Sequence, residues 1–359
     1  MEPSSNQRTM DDRDVAPPCK PRNGRLVIAL GDPAGIGAEV TLKALALPMF
    51  QDLDPLLVGC RRWLTRCHRQ LRARGDVPLA DLNHLDLLDL PLDHPITAGC
   101  SSPEAGAASF VWLTRAADLV LEHSDWALVT APIAKASWHA AGHRYPGQTE
   151  RLAELAGVPS ASMLFTARSP AGSWRMNTLL ATTHIPLAQV PERLSPELLS
   201  HQLNRLLEFC RRFTERPRLV VAGLNPHAGE QGQLGLEEVD WLIPALQRWR
   251  SLHPQVDLEG PMPPDTCWLE AAAAWRGDRK GPDGYLALYH DQGLIPTKLL
   301  AFDAAVNTTL GLPFLRTSPD HGTAFDIAGR GVARPESMAA AIATAMELGI
   351  DSGAGLRLA

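Results

Sequence analysis

The chain has 359 residues, 45% hydrophobic and 21% charged, with 34 Lys and Arg against 40 Asp and Glu and a formal net charge of -6. That length exceeds what one core usually serves and predicts two domains, while the acidic balance excludes general nucleic-acid binding, which needs Lys and Arg in clustered excess. No apolar run approaches the roughly 20 residues that cross a bilayer, and six cysteines (Cys19, Cys60, Cys67, Cys100, Cys210, Cys267) without CxxC spacing fit a reducing cytoplasm and offer no thiolate zinc site.

The first segment, MEPSSNQRTMDDRDVAPPCKPRNG, mixes both charges and lacks an apolar core, so residues 1–24 read as a disordered tail rather than a signal peptide or anchor. RLVIAL (25–30) reads as a strand, followed at once by GDPAGIGAEVTLKAL. Gly31, Gly35 and Gly37 opening a helix look like a phosphate-binding turn, yet the spacing is not GxGxxG and no acidic residue follows a second strand about 20 positions on. A tight strand-to-helix turn is the better reading, with Glu39 in the helix's first turn. LLVGC (56–60) reads as a strand and RRWLTRCHRQLRARG (61–75) as a basic amphipathic helix whose charges form a solvated face. A helix over SSPEAGAASFVWLTRAADLVLEH is capped by Ser before Pro-Glu.

WALVTAP (126–132) is a strand ending in a polar cluster: Lys135, His139, His143 and the turn YPGQTE. Strands MLFTA, WRMNTLLATTH, RLVVAGL and GYLALYH then alternate with helices TERLAELAG, SPELLSHQLNRLLEFCRRF, GLEEVDWLIPALQRW and ESMAAAIATAMELG. Ser195 caps the second of these helices, with Pro196 at its first position. Repeated βα order predicts an α/β fold with a mostly parallel sheet covered on both faces.

Three of these strands end at a histidine: His184 after TLLAT, His227 after LVVAGLNP and His290 after YLALY. Three neutral imidazoles at one sheet edge would leave coordination positions open for substrate on a divalent metal, and imidazole suits zinc, cobalt, nickel or iron. Glu230, Asp265 and Asp291 are near enough in sequence to orient such rings, or are plain turn and cap residues. Lys298, Asn307 and Arg316 follow His290 and point to an anionic, polar small molecule. Next comes HGTAFDIAGRG (321–331), where backbone amides of His321, Gly322, Thr323 and Ala324 can approach pyrophosphate and adenine. Asp326 offers a carboxylate for ribose hydroxyls and would repel a 2′-phosphate, which favours NAD.

GDPAGIGAEV, VTAPIAK, ATTHIPL, GLNPHAGE, GPMPPDT and the stretch from Tyr289 to Arg334 resemble, in order and spacing, the 4-hydroxythreonine-4-phosphate dehydrogenase family of vitamin B6 synthesis. HGTAFDIAGRGVARP is also similar to the nucleotide loop of isocitrate and isopropylmalate dehydrogenases, and together these likenesses cover nearly everything from Leu26 onward. The resemblance implies two α/β/α lobes with mostly parallel sheets and an active site in the cleft between them. Residues 25–142 with 312–359 would form the nucleotide side, and 143–311 the metal, substrate and dimerisation side. It further implies that His184, His227 and His290 bind the metal at a site shared across a homodimer, zinc first and cobalt or magnesium as alternatives. Gln148, Thr149, Lys298, Asn307 and Arg316 match substrate-binding positions. The proton acceptor stays open among Asp265, Lys135 and Asp291, chosen on residue type alone.

Two departures stand out: Gln148 replaces the usual His of a TGHTE-like motif, and Gln233 stands where His is common. An amide donates and accepts hydrogen bonds but carries no charge; His143 and Arg144 lie close enough in sequence for either to offset that loss with a cation. The implied activity is NAD-dependent, metal-assisted oxidation of phosphorylated 4-hydroxy-L-threonine followed by decarboxylation. A related dehydrogenase acting on another hydroxy acid or diol is the first alternative, a metal-dependent hydrolase or lyase the second, and a non-catalytic binding protein the third. A cytoplasmic enzyme with a small-molecule substrate, no nucleic acid and no membrane is expected.

Overall fold

The computed structural model describes residues 24–75 and 77–350. The expected tail therefore lies almost wholly outside the described residues. Among these residues the strands are β1 (Leu26–Ala29), β2 (Leu56–Gly59), β3 (Asp86–Asp89), β4 (Ala127–Thr130), β5 (Ser162–Arg168), β6 (Arg175–Leu180), β7 (Arg218–Ala222), β8 (Asp257–Met262), β9 (Gly284–Ala287), β10 (Val306–Leu310) and β11 (Arg316–Pro319). They form one sheet in the order β3-β2-β1-β4-β11-β10-β5-β6-β9-β7-β8. The expected mixed α/β fold with mostly parallel strands is met, and the strands of both expected lobes share this continuous sheet.

Two parallel blocks, β3-β2-β1-β4-β11 and β6-β9-β7-β8, are joined through antiparallel β10 and β5. Three successive antiparallel pairings between β11 and β6 make the two blocks run in opposite directions. Every residue of β1, β4 and β9 is buried, as strands covered on both faces must be. The helix Glu336–Ala345 lies on one face, where Ala341 O accepts from Thr317 Oγ1. The helix His290–Ala301 lies on the other, its Gly293 closing against Thr178, Leu180 and Ala287.

The turn after β1 is fixed by close backbone approach. Gly31 has φ 70, and an added Cβ there would sit 2.4 Å from Pro132 O. Ser102 and Ser195 cap their helices as expected, accepting from Ala105 N and Leu198 N at 3.2 Å each. Glu39 has a larger part than a first-turn carboxylate. Buried at 4% exposure, it accepts from Lys43 Nζ at 2.7 Å and from Ala333 N at 2.8 Å, and Lys43 Nζ also donates to Gly331 O and Ala333 O. This buried pair ties the first helix to the far end of the glycine-rich loop.

Candidate active site

Pairing register puts the polar site residues on one face of the middle strands. Asn307 on β10 pairs with Ser318 on β11 and Phe165 on β5, while Thr309 pairs with Arg316 and Met163, two residues along. Alternation along a strand then sends all of these side chains to the same side. A cavity of about 370 Å³ opens over this face, walled by Thr130, Lys135, Gln148, Thr149, Glu150, Met163, His184, Asn307, Arg316, Ser318, Asp320, His321 and Gly322. Five of the residues expected from the sequence to meet substrate or metal are thus brought together from β10, β11, the first turn of the helix Gln148–Leu155 and the loop after β6.

Arg316 is the centre of the cavity's chemistry. It is 3% exposed, and its guanidinium donates only to hydroxyls: Nε and Nη2 to Thr130 Oγ1 at 3.1 and 2.7 Å, and Nη1 to Thr309 Oγ1 at 3.1 Å. Burial pushes its pKa down to about 10, countered only by the charge of Glu150. Among the described residues it forms no ion pair with a carboxylate, so a charged group sits on the floor of a cavity with neutral partners. Asn307 Oδ1 and Gln148 Oε1 are buried there without hydrogen-bond partners. Gln148 Nε2 donates to Ala131 O at 3.2 Å, which fixes the amide so that its acceptor is the free end. His143 does not supply a cation beside it. Its ring stacks on Phe110 with centroids 3.6 Å apart, and burial, then the Arg151 charge, lowers its pKa.

Lys298 reaches the cavity's edge from the helix His290–Ala301, its Nζ 3.1 Å from Asp320 Oδ2. Burial raises the Asp320 carboxyl's pKa despite the lysine. Asp320 was not anticipated, although SPDHG places a carboxylate just where β11 meets the glycine-rich loop.

The three histidines follow β6, β7 and β9, and β6-β9-β7 are consecutive neighbours in the sheet. His184 and His290 face each other with ring centroids 5.5 Å apart. Desolvation in the cavity wall, then the charges of Lys135 and His290, lowers the pKa of His184 and keeps its imidazole neutral. His290 Nδ1 bonds Asp291 Oδ1 at 2.7 Å, and His227 Nδ1 bonds Glu230 Oε2 at 2.9 Å. His227 stands on an unusual turn: His227, Ala228, Glu230 and Gln231 all have left-handed φ, between 44 and 57. Glu238, fully buried, holds the base of that turn by accepting from Leu224 N, Asn225 N and Asn225 Nδ2. Among the described residues no three His, Cys, Asp or Glu side chains of this one chain come close enough to hold a metal. Asp265 and Asp291 are exposed, and of the three candidate proton acceptors only Lys135 lines the cavity.

The glycine-rich loop packs on the turn after β1. Ile36 N donates to Thr323 O at 3.1 Å, and a Cβ on Gly35 would lie 3.0 Å from that residue. Ala324 takes a left-handed φ of 43, His321 Nδ1 lies 3.0 Å from Gly322 O, and Asp326 is exposed to solvent.

The family model described as pyridoxal phosphate biosynthetic protein PdxA matches residues 37–345. A protein of Synechococcus sp. (strain RCC307) named 4-hydroxythreonine-4-phosphate dehydrogenase is 65% identical, over 90% of this chain and 99% of that one. The crystal structure of a 4-hydroxythreonine-4-phosphate dehydrogenase from Klebsiella pneumoniae superposes with a TM-score of 0.76 at 36% identity, covering 90% of this chain and 99% of that one. A terephthalate 1,2-cis-dihydrodiol dehydrogenase from Burkholderia xenovorans LB400 is more distant, with a TM-score of 0.57 and 26% identity over 89% of this chain and 96% of that one. A match that runs from the first helix to the last, on the same framework that carries the Arg316 cavity and the glycine-rich loop, places this chain in the PdxA family of pyridoxal phosphate biosynthetic proteins.

Proposed function

We propose that this enzyme oxidises 4-phosphooxy-L-threonine to 2-amino-3-oxo-4-phosphooxybutanoate with NAD, assisted by a divalent metal. The β-keto acid then loses CO₂ to give 3-amino-2-oxopropyl phosphate, a step in pyridoxal and pyridoxine 5′-phosphate synthesis. The observation that carries this reading is Arg316, a buried guanidinium with only hydroxyl partners, set in the floor of a cavity. Such a group is prepared for an anion, because charge-assisted bonds to phosphate or carboxylate are stronger than those to hydroxyls. Thr149 and Asn307 would add neutral bonds, and Lys298 would turn from Asp320 toward the substrate.

The metal would be held by His184, His227 and His290, with the site completed across a homodimer. The residues suit it, since His290 and His227 each have one ring nitrogen fixed by a carboxylate, as metal-bound imidazoles usually do, and the His184 ring is neutral. Zinc is the first candidate for three imidazoles, with cobalt or magnesium as alternatives. When bound it would supply Lewis acidity that lowers the pKa of the C3 alcohol and steadies the enolate left after decarboxylation. The loop from His321 to Asp326 would bind NAD, which accepts the C3 hydride, and the Asp326 carboxylate would discriminate against a 2′-phosphate. Lys135, the candidate on the cavity wall, would receive the alcohol proton at Nζ once neutral. Residues 25–142 with 312–359 would carry the nucleotide and 143–311 the metal and dimer contacts, in the cytoplasm.

A second reading, a related dehydrogenase of another hydroxy acid or diol, draws on Gln148, whose acceptor rather than donor end is free, and on the likeness to the dihydrodiol dehydrogenase. The deciding experiment follows NADH formation by the metal-loaded protein with phosphorylated hydroxythreonine, its unphosphorylated form and threonate phosphate. At least a hundredfold preference for the first supports the proposal; equal use of the unphosphorylated acid favours the second reading. No NADH with any of them removes both.

A further inference from the structure

Past their carboxyl ends, β6 and β9 stay paired while β7 and β9 part. Ala181 N and Thr182 N donate to Ala287 O and Leu288 O at 2.8 and 3.2 Å, so the β6–β9 pairing runs on toward His184 and His290. The β7–β9 register ends earlier, at Val221 with Leu286. One side chain spans the gap that follows. Gln292 Oε1 accepts from Leu288 N and Gln292 Nε2 donates to Gly223 O, both at 2.7 Å.

Gln292 is 7% exposed, and its amide can stand only one way round, because a backbone N–H faces its oxygen and a backbone carbonyl its nitrogen. Each contact leads to a histidine. Leu288 lies just before His290, and its carbonyl also accepts from Thr182 Oγ1 at 2.7 Å, just before His184. Gly223 packs on the turn that carries His227: a Cβ there would lie 3.1 Å from both Cα and Cβ of Ala228. Thr182, Leu288, Gln292 and Gly223 thus join all three histidine-bearing segments through buried hydrogen bonds, which are strong in a low-dielectric interior and costly to leave unmade.

We propose that Gln292 is a positioning residue for the metal, fixing where the His227 turn stands relative to His184 and His290. The inference rests on the reading that these three imidazoles hold a divalent metal. In a site completed across a homodimer the relay still acts within one chain, setting the spacing of the rings that each protomer contributes.

The test titrates the chelator-stripped protein with cobalt(II), reading affinity and the visible d–d band, which reports ligand number and geometry, beside thermal unfolding of the metal-free form. The unmodified protein should bind cobalt with a band that is lost in His184→Ala. Gln292→Met, similar in length and without hydrogen bonds, should weaken binding roughly 10- to 100-fold and shift the band, as loss of a partner that orients metal-bound imidazoles does. Thr182→Val, which lacks only the hydroxyl, should move both readouts the same way by less. Thr297→Val removes a buried hydroxyl bonded to Thr178 Oγ1 and Gly293 O in the same helix, and should lower stability while leaving affinity and band unchanged. Unchanged cobalt affinity and band in Gln292→Met, whatever its thermal midpoint, overturn the proposal; if that variant does not fold, the same result in Thr182→Val does so. Equal weakening by Thr297→Val also overturns it, since any loosening of the helix would then suffice. An unmodified protein that binds no cobalt, or binds it no better than His184→Ala, removes the metal reading and the role of Gln292 with it.

Discussion

Arg316→Met separates what Arg316 does for binding from what it does for folding. The guanidinium is charged at neutral pH, and a pKa pushed down to about 10 by burial means that the ligand-free protein carries it at a cost of about 3 kcal/mol. Three hydrogen bonds to Thr130 and Thr309 recover part of that. Met has a similar reach and no charge. The two hydroxyls would lose an incoming donor while keeping their own protons free to bond, and buried charges replaced by apolar groups of like size are often neutral or stabilising. Urea denaturation of the ligand-free variant should therefore show unchanged or higher stability. Catalysis should move the other way. Two charge-assisted bonds to an anion, each worth about 1.5–3 kcal/mol, disappear together, so kcat/KM for phosphorylated hydroxythreonine should fall by a factor on the order of 10² to 10⁴ at about 1.4 kcal/mol per decade. A fall of less than tenfold, or a loss of more than about 2 kcal/mol in ligand-free stability, would show that Arg316 is a structural residue and not an anion receptor.

Replacing His184, His227 or His290 by Ala should abolish turnover while circular dichroism stays that of the unmodified protein; full activity after exhaustive chelation in any of the three would remove that residue from the metal assignment. Asp326→Ala should raise KM for NAD more than for the hydroxy acid and narrow the gap with NADP, and an unmodified enzyme that already prefers NADP contradicts the role given to the carboxylate. Gln148→His should keep kcat/KM on the phosphorylated substrate within about tenfold between pH 6 and 9, since one hydrogen bond is exchanged for another; a hundredfold gain would mean that the amide is a defect in this pocket. Glu270, bonded twice by Arg218, has its carboxyl held at about 2, so its contribution is present above the ordinary carboxylate range and is lost as pH falls toward 2. After discounting for solvent screening, Glu270→Gln should lose about 1 kcal/mol at pH 7 and less at pH 3; an equal loss at both would refute the linkage.

The parallel blocks were legible because a strand buried on both faces must be apolar throughout, and RLVIAL, WALVTAP and GYLALYH say so directly. β10 and β11 were not. VNTTL and RTSP carry Thr, Asn and Arg on a face that lines a cavity, so the polarity that makes the site also hides the strands that bear it. The same holds for Arg316, visible as a cation but not as a buried one. The Glu39–Lys43 clamp was hidden for another reason: its partners, Gly331 and Ala333, lie nearly 300 positions away, and a carboxylate in a first turn already had a sufficient local explanation. Histidine order was readable because each ring sits just past a strand, whereas the relative reach of the three rings depends on loop conformation, and the left-handed turn at His227 has no composition that announces it.

That turn also bears on transplantation. Four non-glycine residues in left-handed conformation each disfavour it by about 1–2 kcal/mol, so NPHAGEQ has no reason to adopt this shape by itself. Glu238, several residues downstream and outside the motif, supplies the three bonds that brace the turn's base. A designer grafting the hexapeptide NPHAGE onto another scaffold would carry over the imidazole and leave its aim behind. The smallest portable unit runs from the end of β7 through Glu238, and a search for this histidine geometry in unrelated chains should ask for a buried acid about eleven positions after the His.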